Sequence, residues 1–478
     1  LSGAALISAS GLIRRALSDS GPRYPAAPRA PQGADIHAVS LNAKLRTRQL
    51  LPAPAQATPA ISYTDEIPSI IRMRHGQWLR ARLHNGLSEH TTVHWHGLRI
   101  PNAMDGVPYL TQAPVLPGQD FVYEFQPPNP GTFFFHPHCD TINEFGKGLV
   151  GVLIIEGDET RPFDADLVCA YRDWRITDNG AFGVLTTEKG AGTAGTFGTF
   201  QTVNDKPKPV FQVPANGDIR VRFLNLDMTR LVDLGLEGTP AWMIATDGNA
   251  LEAPVALDTW RMGPAMRLDI SFRAPKQAGQ RVRLMNYYAA KPIVLAEFEA
   301  TGAPLDRQDF EPAALKKPDL PEPVIAGATA FPLRLSAASA PSDLPPDLKL
   351  PDGEVLRAAD SLCLTQHTFW ALNGQTWPSM EEGHLPAPLA IFKRGDTIAM
   401  EIINATPHAH PIHLHGHTFK VIGSNKRKVM PHFADTVLVS PNERTKVAFV
   451  TDNPGDWMLH CHIIEHQETG MMGYVRVA

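Results

Sequence analysis

Close to the C-terminus the chain reads His460-Cys461-His462-Ile463-Ile464-Glu465-His466, with Met471 five residues further on. In an extended segment successive side chains point to opposite faces, so Cys461 projects one way and His460 and His462 the other. A Cys and a His with a weak axial Met, completed by a second His from elsewhere, form the donor set of a blue electron-transfer copper. The flanking imidazoles need a different metal. If they hold one, an electron arriving at Cys461 has a short covalent path to it.

The chain also repeats itself. Residues 76–96 align without a gap on residues 395–415, which pairs Gly76 with Gly395, Asn85 with Asn404, His94 with His413 and His96 with His415. Residues 129–138 align in the same way on 453–462. His-x-His pairs are kept in both copies: His94/His96, His136/His138, His413/His415 and His460/His462. His410 falls opposite Thr91 and Cys461 opposite Pro137, so only the C-terminal copy can hold the sulfur-ligated metal. A pair spaced i, i+2 on a strand presents both rings on one face, and two pairs from each of two domains can converge on one shared multinuclear site. A degenerate third copy begins at 217–225 without a histidine, and no histidine occurs between His138 and His367. The middle third therefore reads as a spacer or scaffold. Zinc competes for histidine-rich sites, but the Cys/His/Met set suits a soft, redox-active metal, and copper heads the divalent affinity order.

The elements that must carry these residues are strands. The 43 prolines and 37 glycines, spread among short Val/Ile/Thr/Phe-rich runs, favour an all-β chain with many turns. A length of 478 residues suggests about three domains at roughly 150 residues each. No apolar run approaches the roughly 20 residues of a membrane span. A net charge of -5 with scattered Lys and Arg offers no footprint for nucleic acid. The opening stretch Leu1 to Ser10 is apolar and small, as in the tail of an export signal; the alternative is an ordinary arm, since residues 21–31 are rich in Pro and Ala. Cys139, Cys169 and Cys363 lack Cys-x-x-Cys spacing, and any disulfide among them leaves one thiol over.

With His94-Trp95-His96-Gly97, His136-Pro137-His138, His410-Pro411-Ile412-His413-Leu414-His415 and the run from His460 to Met471 in this order, the chain resembles a three-domain multicopper oxidase, laccase-like and of the bacterial type. The resemblance implies three consecutive cupredoxin-like Greek-key β-barrels. They would follow an arm at 1–35, with barrels at 36–158, 159–305 and 327–478 and a Pro-rich linker at 306–326. It implies four copper ions. A type 1 copper would take His410, Cys461, His466 and axial Met471, with Met472 as the alternative. A type 2 copper would take His94 and His413, and two type 3 coppers would share His96, His136, His138, His415, His460 and His462. Substrate would be oxidised near His466 or His410, whose ring edge faces solvent in the family, and electrons would pass through Cys461 to His460 and His462. Asp105, in Asp105-Gly106-Val107-Pro108, is the expected proton-handling acid; otherwise it is a turn residue. Gln467 stands where bacterial relatives have a second acid, for which Glu468 is the possible substitute. His408 and His417 are expected to be structural.

The implied reaction couples four one-electron oxidations of phenolic or aromatic substrates to reduction of dioxygen to water, in the periplasm or outside the cell. A cuprous or ferrous oxidase serving copper tolerance and a non-catalytic copper-binding protein are the alternatives. Cuprous oxidases of the family carry a methionine-rich insert, and the 13 methionines here form no such cluster. Residues 377–384, with Glu381 and Glu382, read as a charged loop.

Overall fold

The computed structural model describes residues 24–337, 369–377 and 385–478, with the two short strands Leu348–Lys349 and Val355–Leu356. The chain is all-β, built as three successive two-sheet sandwiches, each with its own apolar core. One strand arrangement recurs in all three. Trp78–Asn85 runs parallel to Ile36–Arg48 and antiparallel to Asp120–Phe125. Asp218–Asn225 lies in the same way between Ala165–Trp174 and Arg267–Arg273, and Thr397–Asn404 between Thr329–Ala337 and Arg444–Val450.

These three strands differ in what covers them. Trp78–Asn85 and Thr397–Asn404 alternate buried and less buried residues, as expected for a sheet with one face on a core. Asp218–Asn225 is buried throughout. Its outer face carries Arg220 and Arg222, and each is paired: Arg220 with Asp158 and Asp269 at 2.6 Å, Arg222 with Asp166 at 2.7 Å. Arg222 also donates to Thr132 Oγ1 of the first sandwich at 2.9 Å, which bonds Asp269 in turn. The middle sandwich is thus joined to the first through a buried polar seam.

Each of the three strands ends on an asparagine that ties down the loop beyond it. Asn85 Nδ2 donates to the carbonyls of Glu89 and Val115, Asn404 Nδ2 to those of His408 and Val439, and Asn225 Nδ2 to that of Arg230. In the first and third sandwiches this loop leads directly to the histidine-bearing strands. The stretch after Thr301 crosses the surface of the first two sandwiches, with Lys316 N bonding Asp158 O and Asp319 N bonding Asn129 Oδ1. Among the described residues three short α-helices, α1 (Thr141–Gly146), α2 (Glu188–Ala191) and α3 (Ile464–Glu468), complete the frame. Among the described residues no helix is long and apolar enough to cross a membrane.

Candidate metal centres

Strand pairing brings the histidine motifs together. His94–His96 pairs antiparallel with Gly131–His136, setting His94 opposite His136. In the third sandwich His410–Leu414 pairs with Gly455–Cys461, setting His413 opposite His460 and Ile412 opposite Cys461. The two faces meet, and the rings of His94 and His415 stack at 3.8 Å while those of His96 and His413 stack at 3.7 Å. All eight paired imidazoles are buried. Their nitrogens sort into three groups within 4.8 Å: His96, His136 and His462; His138, His415 and His460; and His94, His96 and His413.

The surrounding hydrogen bonds set which nitrogen is free. Nδ1 of His94 and of His413 donates to the carbonyls of Asp105 and Asp435, each at 2.8 Å. Nδ1 of His136 and of His460 donates to the carbonyls of Pro137 and Cys461, each at 2.9 Å. A proton held on Nδ1 leaves Nε2 as a lone pair. His96 is the other way round: its Nε2 donates to Asp435 Oδ1 at 3.0 Å and Nδ1 is left free. Nε2 of His94, His136 and His413, Nδ1 of His96 and both nitrogens of His138 and His462 have no protein partner. His415 Nε2 and His460 Nε2 face each other at 3.1 Å. Buried polar atoms without partners are costly. Burial, helped by neighbouring imidazoles, pushes His96, His138, His415 and His462 well below the usual histidine range, which keeps the rings neutral. Neutral rings with converging lone pairs fit metal ions of the type that imidazole suits, copper among them.

Two acids flank this cluster. Asp105 is buried, accepts from His415 Nδ1 at 2.9 Å and lies 3.3 Å from His94 Nδ1. Asp435, absent from the sequence expectation, lies beside His96 and His413. Burial alone would raise its carboxyl, but Arg267 outweighs it and the net displacement is downward. Arg267 comes from the middle sandwich and grips Asp435 with both Nη atoms, at 2.9 and 2.5 Å. Asp247, also from the middle sandwich, accepts from the backbone amides of Asp435 and Thr436. The middle third is therefore more than a spacer: it reaches the cluster with a cation and an acid.

A second site gathers His410, Cys461 and His466. Nδ1 of the two rings lies 3.6 and 3.7 Å from Sγ, and the two nitrogens are 3.0 Å apart. Met471 packs in the same apolar core as Cys461 and Ile412, whereas Met472 belongs to a separate patch with Val107 and Trp377. Burial pushes the Cys461 thiol well up, so a bound metal is what would hold it as thiolate.

The expected solvent-facing ring edge is not found. His410 and His466 are both buried. His410 Nε2 meets Thr406 Oγ1 at 2.8 Å, and His466 Nε2 donates to the carbonyl of Thr193 at 2.8 Å. Thr193 belongs to a strap of the middle sandwich, residues 186–197, that includes α2. The carboxylate of Glu465 holds it through the Oγ1 of Thr186, the Oγ1 of Thr196 and the amide of Thr196. Trp370 Nε1 bonds the carbonyl of Ala191 and its ring lies 4.6 Å from that of His466.

Of the remaining residues, Gln467 is buried and donates to Glu468 Oε1 at 2.9 Å. His417 packs against Phe449 and Trp457, and His408 against Trp370. Cys139 and Cys169 are free thiols. Cys363, His367 and residues 378–384, with Glu381 and Glu382, lie outside the described residues. Asp435 and Arg267 do leave a trace in the sequence, as charges inside the apolar runs 433–439 and 266–270.

Two sequence profiles described as multicopper oxidase match residues 44–160 and 357–478. A solved multicopper oxidase from Pseudomonas thermotolerans is 35% identical, with a TM-score of 0.81, and the match covers 93% of this chain and 100% of that one. The multicopper oxidase MmcO of Mycobacterium tuberculosis is 29% identical over 470 residues, covering 89% of this chain and 86% of that protein. Laccase-1 of Botryotinia fuckeliana is 26% identical, covering 88% of this chain and 79% of that protein.

Proposed function

This chain belongs to the multicopper oxidase family and is a copper-dependent oxidase, and we propose that it couples four one-electron oxidations of phenolic or aromatic substrates to the reduction of dioxygen to water. The observation that carries this reading is the convergence of eight buried imidazoles, with unpartnered nitrogens, beside a strand whose Cys461 lies covalently between His460 and His462. His410, Cys461, His466 and axial Met471 would hold a type 1 copper. His94 and His413 would hold a type 2 copper. His96, His136 and His462 would hold one type 3 copper, and His138, His415 and His460 the other, four ions in all. Copper at these positions supplies one-electron acceptance at the sulfur-containing site and four-electron delivery to dioxygen at the histidine cluster.

The rest is the work of the chain. Cys461 and its two neighbouring peptide units give the covalent connection between the sites. The carbonyls of Asp105, Asp435, Pro137 and Cys461 hold protons on Nδ1 and aim Nε2 inward. Asp105 touches His415 and His94 and is the acid that hands protons to the cluster. Gln467 cannot do so, having no titratable proton; Glu468 accepts from it at 2.9 Å, and burial raises its carboxyl above the usual range. The sulfur site sits in an apolar shell, which excludes water from its thiolate.

Phenolic donors are favoured over cuprous ion by the absence of a methionine cluster in the sequence; two matching relatives are named laccases and another is named an iron transport multicopper oxidase. The reading carries with it a periplasmic or secreted setting. It is tested by oxygen uptake with a dimethoxyphenol, ferrous ion and cuprous ion as alternative donors. Uptake with the phenol at a rate well above either ion supports it. A blue absorption band without oxygen uptake from any donor would instead identify a copper-binding protein without catalysis.

A further inference from the structure

On the strand Ala165–Trp174, Val168 and Ala170 join an apolar cluster with Phe134, Phe145 and Val152 of the first sandwich. Alternation along the strand puts Arg172 and Trp174 on that same face. Arg172 thus stands where the pattern calls for an apolar side chain, with only 5% of its surface exposed.

Its surroundings leave it poorly matched. Nη2 donates to the carbonyls of Phe145 at 2.6 Å and Gly146 at 3.4 Å, at the C-terminal end of α1. Nε and Nη1 are buried and have no protein partner. The rings of Trp174 and Phe145 lie 4.6 and 5.1 Å from its Cζ. They attract the charge but offer the N–H groups no lone pair. Among the described residues no carboxylate pairs with Arg172, whereas the other buried arginines each meet one: Arg48 meets Asp205, Arg175 Asp227, Arg220 Asp158, Arg222 Asp166 and Arg267 Asp435.

A second guanidinium stands at the same indole. Arg48, from the first sandwich, has its Cζ 6.0 Å from the Trp174 ring. Its Nη1 is taken by Asp205, and its Nε is buried without a partner. Two cations therefore share one carboxylate in the seam between the sandwiches. Burial, with Arg48 adding to it, brings the Arg172 guanidinium down to about 10, so it stays charged at neutral pH. An enclosed charge without a counter-ion is strongly unfavourable.

The free nitrogens also select the kind of anion. Both parallel N–H pairs with which a guanidinium grips an oxoanion include Nη2. Arg222 holds Asp166 through Nε and Nη2, and Arg267 holds Asp435 through Nη1 and Nη2. In Arg172 the Nη2 is already spent on the carbonyls of α1. Its remaining N–H groups point in different directions, which denies a carboxylate, phosphate or sulfate a two-pronged grip. A monatomic anion needs none, since it accepts single N–H groups from any side.

We propose that one halide ion, chloride in ordinary media, binds the unpartnered N–H groups of Arg172 and Arg48 beside Trp174 and closes the joint between the first and middle sandwiches. Neither arginine belongs to the metal centres.

Crystals of the copper-loaded chain soaked in sodium bromide should show an anomalous bromine peak against Nε or Nη1 of Arg172. In solution, the urea midpoints of the copper-free and copper-loaded chain should rise saturably with sodium chloride, and rise less in sodium gluconate or sodium formate of equal ionic strength. Arg172→Gln keeps an N–H donor for the carbonyls of α1 but removes the charge. The chloride concentration giving half the rise should then increase about tenfold or more. Bromine peaks elsewhere with none at Arg172, or equal midpoints in chloride and gluconate, would overturn the site. Equal stabilisation by formate would overturn its assignment to a halide. Were Arg172→Gln not to fold, the bromide map of the wild-type chain decides by itself.

Discussion

Asp105 and Asp435 sit on opposite sides of the histidine cluster, and each uses its carbonyl for one ring and its carboxylate for another. Of the two, Asp435 has an arginine gripping it, which holds its proton off; Asp105 is the one proposed for proton delivery. Asp105→Asn keeps an oxygen to accept from His415 but removes the titratable group. We expect oxygen uptake to slow by about 10²-fold with copper per chain unaltered; turnover unchanged across the pH range would remove Asp105 from the mechanism. The ligand histidines were legible because their spacing repeats, and Asp105 because it follows a motif. Asp435 was not, since it acts from 20 residues beyond His415 with no fixed spacing to mark it. A second expectation concerns acid. In the copper-free protein burial lowers His417 to about 4 and His466 to about 3. Both would titrate near 6.5 once unfolded. The unfolded chain therefore binds more protons through that window, so these groups' stabilisation is complete above pH 6.5 and is lost as pH falls toward 4 and then 3. His417 alone accounts for about 3 kcal/mol. Urea midpoints of the copper-free protein should drop steadily from pH 7 to pH 4. Copper should flatten the part due to His466, where it competes with the proton.

At the level of elements, the two ends of the chain were readable because the same strand pattern, with Asn85 and Asn404 at matching strand ends, occurs twice with its histidines. The strap was not readable. Residues 186–197 hold no motif, and what fixes them is Glu465, some 270 residues away. Gly195 shows how closely the two pack: with φ at +95°, an added Cβ would meet Thr229 at 2.5 Å and the Glu465 carboxylate at 3.0 Å. Glu465 accepts three hydrogen bonds as a carboxylate, and bonds to a charged acceptor contribute about 1.5–3 kcal/mol each. Glu465→Gln turns one of those oxygens into a donor facing donors. Amide hydrogen exchange across 186–197 should speed up by at least about tenfold. Released from Thr193, His466 should become accessible to solvent, and the blue band should shift. Exchange at the wild-type rate would mean that Trp370 and α2 hold the strap without Glu465.

For the whole molecule, the middle third, expected as a spacer or scaffold without ligands, does the scaffolding: two charged residues from it meet the other sandwiches beside the histidine cluster. Arg267 is fully buried, with Nε on the Thr132 carbonyl of the first sandwich and both Nη atoms on Asp435 of the third. All three sandwiches therefore share one guanidinium. The approach is tight enough to require a residue without a side chain: a Cβ on Gly97 would sit 2.4 Å from Asp435 and 2.5 Å from Arg267. That gives the glycine after His96 a physical role which the motif alone does not explain. Removing one partner of a buried pair costs about 3–5 kcal/mol, because the other charge is left stranded. In Arg267→Met, Asp435 would lose its counter-charge while still contacting His96 and His413. We expect lower thermal stability and loss of copper from the histidine cluster, read by copper analysis and electron paramagnetic resonance. The blue band of Cys461 should persist, since Arg267 does not contact His410, Cys461 or His466. Arg267→Lys should restore only part of the loss, because a single ammonium cannot reproduce a two-pronged grip and a bond to Thr132 together. If Arg267→Met kept its full copper content and stability, the joint between the three sandwiches would have to lie in their apolar contacts instead.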